Sequence, residues 1–337
     1  MKAMVVDGDF GLANLKAQER DVPKPGPGQI VIKMKAASLN YRDLANVTGK
    51  FGRAYQLPFV PLSDGCGEVV EVGEGVSRVK VGDLVAPSFF QAWLGGEPKP
   101  MEMATSLGAP IDGCAQEYMC LSEQGVSKAP ANLTPEEVAC LPCAALTAWR
   151  GLVAEGNMKA GDTVLVQGTG GVSIFALQFA KAAGCTVIAT SSSDEKLERA
   201  KALGADMLIN YKKTPEWAME ARKLTGGRGV DHVVEVGGAG TFQQSIMAAR
   251  LGGHIAVIGL LTGMAQDVNV AAIFSQNLKI SGITVGSRSH FEDMTRAIEA
   301  SDIHPVIDKR YPLDEIATAL ETMEGASHFG KIVLNIG

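Results

Sequence analysis

Three features of the sequence predict an α/β protein in which a small, mainly β domain is followed by a doubly wound parallel sheet. Short strands broken by turn residues fill the first stretch, strands alternate with helices from about residue 133, and a glycine-rich turn marks the first strand-to-helix junction of the second part. At 337 residues, 46% hydrophobic and 20% charged, the chain is long enough for two such cores without disulfides or structural metal.

The first part runs to about residue 130. Val22-Pro23-Lys24-Pro25-Gly26-Pro27-Gly28 reads as a stiff turn, and residues 29–34 alternate as a half-buried strand. Residues 67–73 and 83–86 are β-rich runs beside glycines, which suits a small antiparallel or barrel-like domain. Residues 91–113 carry Gly, Pro and Met without a period and are expected to form a long surface loop. Thr134-Pro135-Glu136-Glu137 starts a helix, with Thr as cap, Pro at the first helical position and acids at the positive end of the dipole. Residues 163–167 then read as a buried strand, 171–183 as an apolar helix, 185–190 as a second strand, and 194–203 as an amphipathic helix stopped by Gly204. Further strands at 230–236 and 254–259 continue the alternation, which implies parallel pairing.

Lys and Arg number 31 against 37 Asp and Glu, and the net charge of −6 offers no footprint for nucleic acid or an anionic membrane. No window has the roughly eighteen uncharged apolar residues that span a bilayer. Met1 to Val6 gives way at once to Asp7-Gly8-Asp9, so no secretory leader is expected. Six Cys are too sparse for a disulfide framework, and a reducing, cytoplasmic location is the expectation. All five His lie beyond residue 231 and all six Cys at or before residue 185, which counts against a locally encoded Cys/His zinc site.

Gly168-Thr169-Gly170-Gly171-Val172-Ser173 follows a strand and opens a helix, where a dinucleotide fingerprint belongs. Gly168 permits the tight turn and Gly170 admits a pyrophosphate to the backbone. Gly171 and Val172 begin the helix whose N-terminal N–H groups would meet that anion, and Ser173 replaces the third glycine. NAD binders place an acid about 20 residues after the fingerprint. Here Thr190-Ser191-Ser192-Ser193-Asp194-Glu195-Lys196 puts Ser191 in that place, with three hydroxyls and Lys196 to receive a dianionic 2'-phosphate. A plain helix cap is the alternative role for Ser193, and Tyr211 either flanks the same phosphate or is structural. The expected cofactor is NADP(H).

Asn40-Tyr41-Arg42-Asp43, the run from Asp64-Gly65-Cys66-Gly67 to Val72-Gly73-Glu74-Gly75-Val76, and Val81-Gly82-Asp83 add further motifs. So do Leu141-Pro142-Cys143-Ala144-Ala145-Leu146-Thr147-Ala148 and Gly330-Lys331-Ile332-Val333. With these the chain resembles, over essentially its full length, the medium-chain dehydrogenases/reductases, the superfamily of zinc alcohol dehydrogenases and zinc-free quinone oxidoreductases. The resemblance implies a GroES-like, mainly β catalytic domain at residues 1–143 plus 286–337. Between its halves, at 144–285, it implies a Rossmann cofactor domain, which is the doubly wound parallel sheet. It places Thr147, Ile258, Gly259, Leu260 and Val285 at the nicotinamide half of the cofactor and Lys331 at the pyrophosphate or nicotinamide ribose. Residues 278–285 would be the last strand of the cofactor domain, pairing across a two-fold axis in a homodimer.

Zinc alcohol dehydrogenases hold their metal with Cys, His and Cys, so that hydride can leave an alkoxide. By the resemblance, this chain has Asn40, Ser63 and Cys143 at those positions, and residues 91–113, where a four-Cys structural lobe would fall, contain no Cys. Asp64 would add one oxygen, still short of three protein ligands, and no zinc is expected. Cys143 reads as a small buried thiol. Reduction of a quinone or carbonyl-conjugated double bond then fits best, because charge developing after hydride addition gathers on an oxygen that hydrogen-bond donors can meet. Asn40 is the leading donor, with Ser63 beside it and Asp43 orienting the loop or a cofactor ribose. Tyr41 and Tyr55 are alternative proton donors. Ala45 and Phe51 stand where quinone oxidoreductases often place Tyr, a departure that points away from a specific quinone. The leading expectation is a zinc-independent, NADPH-dependent oxidoreductase of a small-molecule quinone or activated double bond. Its alternatives are an alcohol dehydrogenase-like enzyme acting on alcohols or aldehydes, and an NADPH-binding redox sensor without turnover.

Overall fold

The computed structural model describes residues 1–50 and 56–337, so Phe51 and Tyr55 lie outside the described residues. The chain forms two compact units, one of Met1–Leu146 with Gly286–Gly337 and one of Thr147–Val285.

The first unit opens with an antiparallel ribbon of β1 (Lys2–Val6) and β2 (Leu15–Glu19). There follow β3 (Gln29–Ser38), α1 (Tyr41–Val47), β4 (Asp64–Val72), β5 (Leu84–Pro87), the single turn α2 (Pro100–Met103), β6 (Tyr118–Ser122), β7 (Val126–Lys128) and the short α3 (Pro135–Val138). Thr134 caps α3 as its sequence predicts, accepting from Glu137 N–H while the Glu137 carboxylate accepts from Thr134 N–H. Residues 91–113 form a surface loop only in part: 94–101 are exposed, but both ends of the segment are anchored. Trp93, Leu107 and Ala109 are buried, bridges join Phe90 to Ser106 and Leu107 to Ile111, and the Arg42 guanidinium donates to the carbonyls of Leu107 and Ala109. Irregularly spaced apolar anchors hold this segment, and they leave no period for sequence to reveal.

The short α4 (Leu146–Trp149) leads into the second unit. There β8 (Thr163–Gln167), α5 (Gly171–Ala182), β9 (Thr186–Ser191), α6 (Asp194–Ala202), β10 (Met207–Asn210), α7 (Trp217–Leu224), β11 (Val230–Glu235), α8 (Phe242–Ala248), β12 (Ala249–Val257), α9 (Val270–Ser275) and β13 (Lys279–Gly282) alternate. The six strands are parallel in the order β10-β9-β8-β11-β12-β13, so chain direction across the sheet reverses between β8 and β11. Strands covered on both faces read as unbroken apolar runs, and Val164 to Val166, Val187 to Ala189 and Val233-Val234 are buried accordingly. Residues 278–285 do not all form strand: β13 is four residues long and lies at the sheet edge.

After this unit the chain adds α10 (Arg288–Ser301), β14 (Ile307–Pro312), α11 (Ile316–Glu324) and β15 (Lys331–Asn335) to the first. The mainly antiparallel sheet runs β14-β15-β3-β4-β5-β7, with β6 also on β3. Val333 of β15 and Asp64 of β4 both lie opposite Ser38, which gathers the residues around 40, 63 and 331 at one end of β3. Among the described residues no helix is long and apolar enough to cross a membrane.

His232 and His254 are register partners on β11 and β12, both buried, with His232 Nε2 3.1 Å from Asp162 Oδ2. Burial, helped by the neighbouring His232, lowers the His254 imidazole from 6.5 to about 4. Between those values the unfolded chain binds a proton that the folded chain refuses, so stability falls as pH falls through that window. His254→Gln is expected to lose less stability than wild type between pH 7 and pH 5, by about 1 to 2 kcal/mol. Urea unfolding of both proteins at the two pH values checks this.

Candidate active site

Asn40 is the N-cap of α1, and its backbone N–H donates to Asp43 Oδ2 at 2.9 Å. Asp43 Oδ1 accepts from Ser63 N–H and from Arg42 Nη1, each at 3.2 Å. The Asn40 side chain sits where β3, β4 and β15 converge. Lys331 Nζ donates to Asn40 Oδ1 and to the Leu39 carbonyl, both at 2.7 Å, and Asn40 Nδ2 faces Ser63 Oγ at 3.4 Å. Ser63 in turn donates to Asp64 Oδ1 at 2.7 Å, and Asp64 Oδ2 accepts from Cys143 N–H at 2.9 Å.

Asp43, Ser63 and Asp64 expose no surface, whereas Asn40 keeps 8%. Ser63 therefore stands behind Asn40, its proton committed to Asp64. Lys331 is 3% exposed with its ammonium turned to Leu39 and Asn40. Tyr41 is partly exposed, and its hydroxyl accepts from Lys50 Nζ at 2.7 Å. Burial pushes the Asp43 carboxyl up to about 6 against the pull of Arg42, and raises Asp64 against Lys331 and the hydrogen bonds from Ser63 and Asn40. Burial also raises the Cys143 thiol, keeping it neutral and a poor nucleophile.

A zinc ion does not fit these donors. The Asn40 amide oxygen faces an ammonium, the Ser63 hydroxyl is spent on Asp64, and one carboxylate with one thiol falls short of three protein ligands. Among the described residues no group of three or more His, Cys, Asp or Glu is placed to hold a metal.

In the second unit the turn between β8 and α5 is open. Gly168 has φ +69°, and a Cβ at Gly168 or Gly170 would meet nothing within 4 Å, so backbone there can be approached closely by a ligand. Gly171 and Val172 form the first turn of the 12-residue α5, whose leading N–H groups have no intrahelical acceptor. Ser173 Oγ turns back to the Gln167 carbonyl at 2.6 Å, bonding helix to strand where the third glycine would pack. Ser191 Oγ accepts from Ser193 N–H, and Ser193 caps α6 by accepting from Lys196 N–H. Ser192 follows Ser191 between β9 and α6 and is half-buried. The Tyr211 side chain is exposed, and its N–H donates to the Ser191 carbonyl. Asp194, the nearest acid in sequence, is held by Lys213 and Asn210. The N–H groups of Ile258 and Gly259 donate to the Glu235 carbonyl, while Leu260 is exposed and Thr147 buried. Val285 has φ +53°, a left-handed conformation that costs a β-branched residue on the order of 1–3 kcal/mol.

Sequence reasoning missed Glu235. It is fully buried at the end of β11 and accepts from Gln167 Nε2, Thr241 Oγ1, Ser245 Oγ and the N–H groups of Gly237 and Gly238, tying together the carboxyl ends of β8 and β11. An acid alone in the apolar run Val233-Val234-Glu235-Val236 is the available signal.

Residues 26–131 match the alcohol dehydrogenase GroES-like domain family and residues 171–300 the zinc-binding dehydrogenase family. A zinc-type alcohol dehydrogenase-like protein of Schizosaccharomyces pombe is 49% identical, over 100% of this chain and 99% of its own length. An acryloyl-coenzyme A reductase of Metallosphaera sedula is 31% identical, over 99% of each. A solved mycobacterial structure complexed with NADPH superimposes with a TM-score of 0.83 at 28% identity, covering 99% of this chain and 100% of that one. The chain is an oxidoreductase of the medium-chain dehydrogenase/reductase superfamily.

Asp43→Ala leaves the buried N–H groups of Asn40 and Ser63 without an acceptor. It is expected to cost about 2–4 kcal/mol in urea unfolding, and Asp43→Asn, which keeps one acceptor, less.

Proposed function

We propose that the protein is a zinc-independent, NADPH-dependent reductase of a small carbonyl-conjugated double bond or quinone. The observation that carries this reading is Asn40: a hydrogen-bond donor at the partly exposed edge of a buried polar cluster whose donor set does not fit zinc. The NADPH held by the mycobacterial neighbour and the activated double bond reduced by the acryloyl-coenzyme A relative support it. Bound NADPH would supply the hydride. Gly168, Gly170, Gly171 and Val172 would hold the pyrophosphate against α5, and Ser191, Ser192, Ser193 and Lys196, flanked by Tyr211, the 2'-phosphate. Thr147, Ile258, Gly259, Leu260 and Val285 would meet the nicotinamide half. Asn40 Nδ2 would donate to the carbonyl oxygen on which charge gathers, a contact worth on the order of 3 kcal/mol in the transition state. Ser63 and Asp43 would support Asn40 from behind, and solvent or Tyr41 would provide the proton.

The name of the fission-yeast relative favours a second reading, action on alcohols or aldehydes. A panel of enones, quinones, aldehydes and alcohols with NADPH and NADH decides: rapid NADPH oxidation by enones or quinones without added zinc is expected. Turnover confined to alcohols in the presence of zinc would overturn the proposal, and NADPH binding with no turnover at all would favour a sensor. Ser191→Asp is expected to lower kcat/KM for NADPH at least about tenfold while raising it for NADH.

A homodimer in the cytoplasm completes the reading. Edge strand β13 and the exposed Val270 and Phe274 of α9 offer an apolar face for a second copy, and all six Cys are free thiols. Light scattering should give twice the mass of the chain.

A further inference from the structure

We propose that Lys331 is a positioning residue for the reaction: its buried ammonium decides which end of the Asn40 amide is presented to the substrate. This rests on the reading of Asn40 as the donor to the developing negative charge. The register of β15 on β3, Val333 opposite Ser38, carries Lys331 to the level of Asn40 just beyond the end of β3, and Leu39 N–H closes the junction on the Ile332 carbonyl at 3.0 Å. At that point Lys331 Nζ has two oxygens at 2.7 Å, from Leu39 and Asn40.

A primary amide is nearly isosteric end for end, so shape alone does not choose how Asn40 faces. An ammonium can only donate, and turning Nδ2 toward it would set donor against donor beside a buried cation. Lys331 therefore holds Oδ1, and Nδ2 is left on the far side of the amide. The second contact has the same sense: Ser63 gives its proton to Asp64 at 2.7 Å and so offers Nδ2 a lone pair at 3.4 Å. Donation runs one way along the whole chain, from the Lys331 ammonium through Asn40 and Ser63 to the Asp64 carboxylate, with a cation at its head and an anion at its foot. One Nδ2 hydrogen serves that chain, and the other is the donor that meets the substrate oxygen.

A contact of Lys331 with the cofactor, the role drawn from the resemblance, would behave differently, and the difference is measurable. Lys331→Met keeps length and removes the donors. Its kcat with an enone is expected to fall about 30-fold or more, with the Kd for NADPH, read by nucleotide fluorescence, within about threefold of wild type. Combined with Asn40→Ala it should be no slower than Asn40→Ala alone, because the lock has nothing left to hold. Lys331→Gln, which keeps a donor at this place, should lie between wild type and Lys331→Met, and it serves the same comparison if Lys331→Met does not fold. A Kd for NADPH raised tenfold or more with kcat retained would overturn the proposal, as would rate losses that multiply in the double variant. Turnover left unchanged by Lys331→Met sinks the role of Lys331 alone, whereas a wild type inert toward every acceptor sinks the reading of Asn40 and this one with it.

Discussion

The pairing of β3 with β4 on one side and β15 on the other is the constraint on which the first unit's polar cluster depends. A strand end is a poor place for polar side chains unless the neighbouring strands deliver partners at the same level, and here they do. Asn40, Ser63 and Lys331 come from three distant parts of the chain and meet because Ser38 faces both Asp64 and Val333. A slip of one residue in either pairing would turn these side chains to the opposite face of the sheet.

The same convergence explains how the unit tolerates so much buried charge. Asp43 and Asp64 have no exposed surface, and burial raises both carboxyls. Neither is left without compensation: Asp43 accepts from two backbone N–H groups and Arg42, and Asp64 from Ser63 and Cys143 N–H, with Lys331 nearby. Deleting one member of such a set costs far more than the set contributes as a whole, since what remains is an uncompensated buried charge.

Local features were legible in the sequence and long-range ones were not. The turn from β8 to α5 is written within a few residues, so the places of Gly168, Gly170 and Ser173 could be anticipated; so could the strands whose apolar runs are unbroken. The partner of Lys331 could not, because it is set by a strand pairing across nearly the whole chain. The motif Gly330-Lys331-Ile332-Val333 carries no sign that the ammonium faces Leu39 and Asn40. Residues 91–113 were legible only in part: the exposed stretch reads as a loop, whereas Trp93 and Leu107 anchor its ends without any period. Glu235 was passed over because an acid in a strand carries no pattern of its own; its meaning lies in Gln167, Thr241 and Ser245, which reach it from three elements.

The split of the first unit into two stretches of chain bears on how the protein is made. β15 leaves the ribosome after every strand of the parallel sheet, so the second unit has its whole sequence available for folding while the antiparallel sheet still lacks the strand that pairs with the far end of β3. Until then Asn40 has no ammonium to face, and Asp43 and Asp64 have one buried cation fewer. During synthesis the polar cluster is thus completed late, and a nascent chain that stalls before residue 331 carries the complete glycine-rich turn from β8 to α5 while the cluster around Asn40 still lacks its ammonium.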